Sequence, residues 1–431
     1  MKRYIISLLL ISCCYLFSNG QQIAKSTYSK TLLKNATVHT ITDGIQENTD
    51  VLRDDGKIVE IGSNITSGDA EVVDCSNHHI YPGFINSGTQ LGMSEVGAVS
   101  LTNDFNEIGD FIPHMKALTA VNPNSVGIPV TRVNGVTAVI ASPRGGLFPG
   151  TASLINLHGY TPNSMYAGFN GVVMNFPSSA KRGRRDRRSE EDIKKAQEKA
   201  MRNLNDIWAN LSTYAKIDSA KGTQGANTPK TYQPEYEALI DVYRGNTALM
   251  IEVNKDQDIK NAIEWVSDKK IKAIFTGVNE GWRVADELAE AGIPVITGPV
   301  LSIPGRGYVR YDVNYRNAGL MQQAGVTVAL RTNDAENARN LPFNAGFAAA
   351  YGMGVEEALK AITINPAKIF DLDDQYGSIT EGKVANLFVS TGDPFEMKSD
   401  ITHLFINGWN VPIESRHTLL YNEFLHRSPG N

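Results

Sequence analysis

Tyr81-Pro82-Gly83-Phe84-Ile85-Asn86-Ser87-Gly88-Thr89-Gln90-Leu91-Gly92 is the stretch on which the reading of the fold turns. A Pro-Gly turn precedes the apolar pair Phe84-Ile85, and small and polar residues follow. That is the pattern of a buried strand whose end opens into a loop. The chain on either side of it is built on different periods.

Before it, from 23 to 80, short alternating segments such as Ala36-Thr37-Val38-His39-Thr40-Ile41 and Lys57-Ile58-Val59-Glu60-Ile61 are punctuated by Asp43-Gly44 and Asp55-Gly56. These read as tight turns of a small antiparallel β unit, with His39 as a half-exposed structural residue. After it, from 83 to 371, short apolar strands are separated by longer helix-compatible stretches. The strands are Phe84-Ile85, Val136–Ile140, Ser153–Leu157, Val172–Met174, Ala248–Ile251, Ala273–Phe275, Pro294–Ile296 and Val326–Leu330. Most are followed by amphipathic runs like Ala285-Asp286-Glu287-Leu288-Ala289. Eight such strands predict an α/β fold, a closed parallel (β/α)8 TIM barrel whose sites gather at the C-terminal strand ends.

The fourth and fifth strands are separated by an insertion, 178–247. It opens on the basic cluster Lys181–Arg188, a solvated loop or a contact for an anionic surface. A helix then runs from Ser189 to about Tyr214, started by Ser189 and Asp192 in an acidic variant of the capping box. Its apolar positions Ile193, Ala196, Ala200, Leu204, Ile207 and Leu211 recur at three- and four-residue spacing. Gly222 to Pro229 reads as a linker.

With 431 residues, 42% hydrophobic and 20% charged, the chain suits one large globular domain and a smaller one. A net charge of -5 gives no reason to expect nucleic acid as a partner. Residues 1–20 have a basic start at Lys2-Arg3, an apolar run from Tyr4 to Phe17 and small residues before Gln21, the layout of a secretory signal peptide. The run is short for a membrane span, so the mature protein is expected to be exported and periplasmic. An alternative reading of Leu10-Ile11-Ser12-Cys13 is a lipoprotein cleavage site with a lipid anchor on Cys13. Ordinary cleavage removes Cys13 and Cys14 and leaves Cys75 with no partner for an internal disulfide.

The opening stretch resembles the start of the barrel in amidohydrolases of the imidazolonepropionase-like branch, Pro-Gly-(Leu/Phe)-Ile-Asp-x-His-x-His. Asn86 stands at the Asp position, Gly88 at the first His and Gln90 at the second. Near the other end, Tyr376–Val389 closely resembles the Gly-Ser-Ile-x-x-Gly-Lys-x-Ala-Asp-Leu-Val-Val motif that closes such chains, with Asn386 replacing an Asp. Ala358–Lys368 is similar to the last barrel helix of the family. The resemblance covers about residues 30 to 410. After the leader read at 1–20, it implies a composite β-sandwich domain from both chain ends (21–82 and 372–431) and a barrel at 83–371.

The resemblance also implies hydrolysis at one or two divalent metals. Histidines from strands one, five and six hold them, with an Asp at strand eight and, in some branches, a carboxylated Lys at strand four. A Lewis acid of that kind activates water and polarises a carbonyl, and needs several imidazole or carboxylate ligands. Here the matching positions read differently. Strand five ends Ile251-Glu252-Val253-Asn254 with Glu252 at the His position, and strand six offers Thr276 or Gly277. Strand four, Val172-Val173-Met174-Asn175, has no lysine. On strand eight Asp334 matches the catalytic Asp, Asn333 is the alternative in a shifted register, and a helix-capping role for Asp334 is the other reading. Of the eight histidines only His158 lies near a C-terminal strand end, facing the mouth or hydrogen-bonded at the surface.

The loop Ser142-Pro143-Arg144-Gly145-Gly146-Leu147-Phe148-Pro149-Gly150 either aims backbone N–H groups into the mouth or makes only a tight turn. Gln90, Arg144, Gly145, Gly146 and Arg331 are the binding candidates, Glu252 and Asp334 the catalytic ones, and no residue is assigned to metal. No cofactor is expected unless Glu252 and Asp334 form a replacement site for a divalent cation.

Two functions compete. The first is an exported binding homologue with a degenerate metal site. It would take a small-molecule or peptide-like ligand, or pair with an active amidohydrolase relative. The second is a hydrolase of C–N bonds using Glu252 and Asp334 as acid and base or as ligands of a hard metal ion. A weaker third reading, drawn from export alone, is a carbohydrate- or peptide-scavenging component of the cell envelope.

Overall fold

A computed structural model of the protein describes residues 25–181, 186–221, 231–303, 309–425 and 427. The expected leader with Cys13 and Cys14, the Arg182–Arg185 part of the basic cluster and the 222–229 linker lie outside the described residues.

The first strands are β1 (Thr31–His39), β2 (Ile45–Asp54), β3 (Lys57–Gly62), β4 (Glu71–Asp74) and β5 (His79–Pro82). The barrel strands are β6 (Phe84–Thr89), β7 (Val136–Ala141), β8 (Gly150–Asn156), β9 (Tyr166–Asn175), β10 (Leu249–Val253), β11 (Ala273–Gly277), β12 (Val295–Thr297) and β13 (Val328–Leu330). The chain closes with β14 (Leu387–Ser390), β15 (Ile401–Ile406) and β16 (Trp409–Asn410).

Strands from both chain ends share one sheet, in the order β16-β15-β14-β5-β1-β2-β3, with β4 also pairing with β1. The join is the antiparallel pairing of β5 with β14, Tyr81 opposite Phe388. Leu33, Val38, Val51, Ile80, Leu387, Val389 and Phe405 form its shared core. Arg53 is 1% exposed. It donates to the Gly408 carbonyl (2.7 Å) and the Thr31 hydroxyl (2.6 Å), and lies 4.2 Å over the Phe405 ring. Phe388 also meets Phe84 edge-on at 4.9 Å, so the same side chain docks the sheet on the barrel.

The second sheet runs β6 to β13 in sequence order. Its interior layer takes an apolar side chain from every strand, namely Ile85, Ile140, Leu154, Val173, Met250, Ile274, Ile296 and Ala329. Alternate residues such as Phe84, Val139, Val172, Leu249, Phe275, Val295 and Val328 pack outward under the helices. This period of two places the next inward position of each strand at the barrel mouth.

Two features correct the expectation of a closed, all-parallel barrel. β8 runs antiparallel to both β7 and β9, while the other neighbours are parallel. Only residues 142–149 and 157–165 connect it, fewer than the roughly dozen residues a parallel crossover needs. Apolarity identified the strand, but connector length decides its direction. The sheet is also nearly closed, with no ladder between β13 and β6 among the described residues. Asn86 bridges that seam instead. Its Nδ2 donates to Thr332 Oγ1 (2.7 Å), and its Oδ1 accepts from the Thr332 and Gly88 amides (3.2 and 3.3 Å). The Asn333 amide adds a bond to the Gly88 carbonyl (2.9 Å).

Between β9 and β10 lies the helix Glu190–Lys221. Ser189 and Asp192 cap it reciprocally, the Asp192 amide donating to Ser189 Oγ at 3.0 Å. Ile193, Leu204, Ile207 and Leu211 are buried, whereas Ala196 is exposed. Trp208 meets Trp265 of the helix Asp256–Lys269 edge-on at 5.3 Å, which holds the insertion against the outside of the barrel.

Asn86→Ala removes the seam's side-chain bridge and leaves buried Thr332 groups unpaired. It should lower unfolding free energy by roughly 2 kcal/mol in urea titration, with the slope unchanged.

Candidate functional site

Counting two residues on from the interior layer gives the floor of the mouth. Ile85 leads to Ser87, Ile140 to Ser142, Val173 to Asn175, Met250 to Glu252, Ile274 to Thr276 and Ala329 to Arg331. All six line one cavity of about 310 Å³, together with Gly88, Gln90, Arg144, Gly145 and Asn333. A second cavity of about 450 Å³ shares Glu252, Arg331 and Asn333, and extends past Asn254, Trp282 and Asn314.

The two cavities meet at an ion pair. Arg331 Nη1 donates to Glu252 Oε2 and Nη2 to Oε1, both at 2.8 Å, a two-point contact between planar groups. Thr276 Oγ1 donates to Oε2 (2.7 Å) and Asn254 Nδ2 to Oε1 (3.1 Å), so each carboxylate oxygen accepts twice. Arg331 Nε reaches the Gly298 carbonyl at 3.4 Å. The Arg331 side chain is 9% exposed and that of Glu252 26%. Burial pushes the Glu252 carboxyl up. The Arg331 charge, its hydrogen bonds and those of Thr276 and Asn254 outweigh this and hold it lowered to about 2.

Two glycines make room for the pair. A Cβ at Gly88 would stand 3.1 Å from Arg331 Cδ, closer than side chains normally approach. Gly277 follows Thr276 at φ +85, and a Cβ there would run into Glu252 and Asn254. At Gly88, matched to the first histidine of strand one, and at Gly277, one of the two registers for strand six, the side-chain space is therefore filled from the side by Arg331, Glu252 and Asn254.

The other candidates are placed as follows. Arg144 donates to the Asn333 carbonyl, and no carboxylate lies within ion-pair distance of it among the described residues. Desolvation, then the Arg331 charge, lowers its pKa, with Glu252 and Asp334 opposing at longer range. It remains a cation at neutral pH. Gly145 lines the cavity and Gly146 does not, and the carbonyls of both accept from Asn175 Nδ2, at 2.9 and 2.6 Å. Leu147, next in the loop, gives its amide to Asp110 (2.9 Å). Gln90 is 4% exposed and lines the cavity.

Asp334 is absent from both cavity walls. Its carboxylate accepts from the Asn337 amide (2.6 Å) and Asn337 Nδ2 (3.0 Å) across a turn, and Asn337, not Asp334, is the N-cap of the short helix Ala338–Asn340 that follows, while Asn333 lines both cavities at φ 64. Glu252 and Asp334 are thus not brought together. His158 follows the reversed strand β8 and so emerges away from the mouth. It packs 5.4 Å from Trp409 of the other sheet, and burial, then Arg132, lowers it to about 4. Among the described residues, no three His, Cys, Asp or Glu side chains group closely enough to hold a metal ion. Ser87, Asn175 and Asn254 are not among the binding or catalytic candidates of the sequence, and Thr276 enters there only as one of two positions matched to a family histidine. The inward period, counted along each strand, points to all but Asn254.

A barrel with a polar mouth at its strand ends, carrying a sheet from both chain termini, defines the architectural class. The amidohydrolase family model matches residues 309–411, which include Arg331. The crystal structure of an amidohydrolase from Thermotoga maritima MSB8 superposes with a TM-score of 0.78 and 28% identity, covering 89% of this chain and 100% of that one. Molinate hydrolase has the same fold, with a TM-score of 0.56, 16% identity and coverage of 94% and 98%. D-hydantoinase of Geobacillus stearothermophilus is 44% identical over 69 residues, 16% of this chain but only 14% of that enzyme's length. The family-model match over 309–411 and the likeness to the Thermotoga maritima structure support the amidohydrolase superfamily, while the likeness to molinate hydrolase shows the fold alone.

Glu252→Gln should leave Arg331 as a buried cation without its counter-charge and cost on the order of 3 kcal/mol of stability. The pH dependence carries the sign. With a folded pKa near 2, below the ordinary 4.5, the pair's contribution is complete above about pH 4.5 and disappears as pH falls toward 2. Wild-type stability should therefore drop across that window in thermal unfolding series, and the Glu252→Gln variant should lack this component.

Proposed function

We propose that the protein is an exported, non-catalytic member of the superfamily, similar by motif to the imidazolonepropionase-like branch, that binds a small-molecule or peptide-like ligand at the barrel mouth. The observation that carries this is the Arg331–Glu252 pair. The divalent metal implied by the fold family would need several imidazoles or carboxylates at the ends of strands one, five, six and eight. Those ends present Gly88, Gln90, Glu252, Thr276 and Asn333, and the single carboxylate is saturated by a guanidinium. This donor set does not fit the metal, and we derive no step through one.

General acid–base catalysis by the same residues finds equally little support. A carboxyl held near 2 is a poor proton acceptor at neutral pH. The other carboxylate, Asp334, is turned to the Asn337 backbone. What the mouth retains is a shaped polar cavity with an anchored cation, which is what binding requires.

The test is metal content and turnover measured on the same preparation. After dialysis against modest excesses of zinc, manganese and calcium, elemental mass spectrometry should find metal well below one ion per chain. Hydantoin, lactam and dipeptide substrates should turn over no faster than with heat-inactivated protein. Stoichiometric metal, with hydrolysis that a chelator abolishes, would overturn the reading.

A further inference from the structure

The smaller cavity sets unused donors beside a carboxylate that is already filled, while the unpartnered acceptor Asn254 Oδ1 lies on the wall of the neighbouring cavity. Both oxygens of Glu252 are already accepting twice, so the carboxylate on the wall of the smaller cavity has no capacity left for a ligand cation; Glu280, on the wall of the neighbouring cavity, accepts from the Asp256 amide at 3.2 Å. Unused donors remain. Arg331 spends three of its N–H groups on Glu252 and Gly298, leaving one on each Nη. Arg144 spends one contact on a main-chain carbonyl. Ser87 is 1% exposed, lines the cavity, and its Oγ has no hydrogen-bond partner. A buried hydroxyl without a partner is uncommon and calls for an explanation. The other charged group acting on Arg144 from outside the cavity is Asp334, whose two oxygens are engaged by Asn337.

We infer that the cavity between Ser87, Arg144 and Arg331 is a site for a small monocarboxylate, its oxygens received by the two guanidinium groups and the Ser87 hydroxyl. Glu252 then has a definite task. It fixes the plane of Arg331 and cancels one of two cationic charges, so the mouth favours one negative charge over two. A cavity of about 310 Å³ is at the lower end of the sizes of ligand sites and suits an acid of benzoate's size. The neighbouring cavity past Trp282 and Asn314 leaves room for a peptide-like extension. This inference rests on the binding reading above and supplies its ligand class.

Isothermal titration of the mature full-length protein with acetate, benzoate and N-benzoylglycine tests it, with benzamide and N-benzoylglycinamide as neutral matches and phthalate as a dianion. The carboxylates should bind at least about tenfold tighter than their amides, the value of one charge-assisted contact, and benzoate tighter than phthalate. Preference for benzoate over N-benzoylglycine would indicate a free small acid, and the reverse a peptide-like carboxylate. Arg144→Gln, at an exposed position, should weaken benzoate about tenfold with an unchanged unfolding curve. Ser87→Ala should weaken it by a smaller factor.

Equal binding of acids and amides, or benzoate binding unaffected by Arg144→Gln, would overturn the inference and leave the non-catalytic reading intact. Metal-dependent turnover with carboxylate preference retained would do the opposite.

Discussion

The ion pair between Arg331 and Glu252 is the constraint around which the barrel mouth is arranged. A guanidinium 9% exposed cannot stay there alone, because desolvating it costs several kcal/mol. Glu252 answers the charge, Thr276 and Asn254 saturate the carboxylate, and the Gly298 carbonyl accepts from the guanidinium Nε. The surrounding backbone follows from the volume of this pair. Side chains are missing at positions 88 and 277 because the pair occupies the space they would enter.

The reversed strand β8 changes which loops meet. In an all-parallel barrel every strand delivers its C-terminal end to the mouth. Here β8 delivers its N-terminal end, so the short loop 142–149 stays at the mouth and carries Arg144 across it to Asn333. His158 leaves at the far side, where it belongs to the packing between the two sheets. One inversion of strand direction thus adds a cation to the mouth and takes a histidine away.

Much of this was legible in the residues. Apolar runs marked the positions of the eight barrel strands, because strands buried on both faces leave a continuous signature. The motifs at Tyr81–Gly92 and Tyr376–Val389 pointed to the amidohydrolase superfamily, and the family model matches the stretch that contains the second. Strand direction was less accessible, since it depends on connector length and not on composition. The site was half legible. Glu252 and Arg331 were both named, but their contact joins strands 79 residues apart in the chain and no local pattern announces it. Asp334 drew attention through the motif, yet the residue two past the interior layer is Arg331. Applying the period of two to each strand end, before any motif, would have found Ser87, Asn175 and Thr276.

The β5–β14 pairing and the buried Arg53 bear on how the chain comes to be folded. The first sheet strands are complete by residue 82, but the strand beside β5 begins at Leu387 and the carbonyl that receives Arg53 belongs to Gly408. A nascent chain holding only the first sheet strands therefore exposes the apolar edge of β5 and leaves Arg53 with the Thr31 hydroxyl but without its Gly408 carbonyl until nearly all of the polypeptide has emerged. Such long-range closure slows folding and prolongs exposure of an open strand edge. The N-terminal strands, made first, reach their native surroundings only together with the C-terminal strands that complete their sheet.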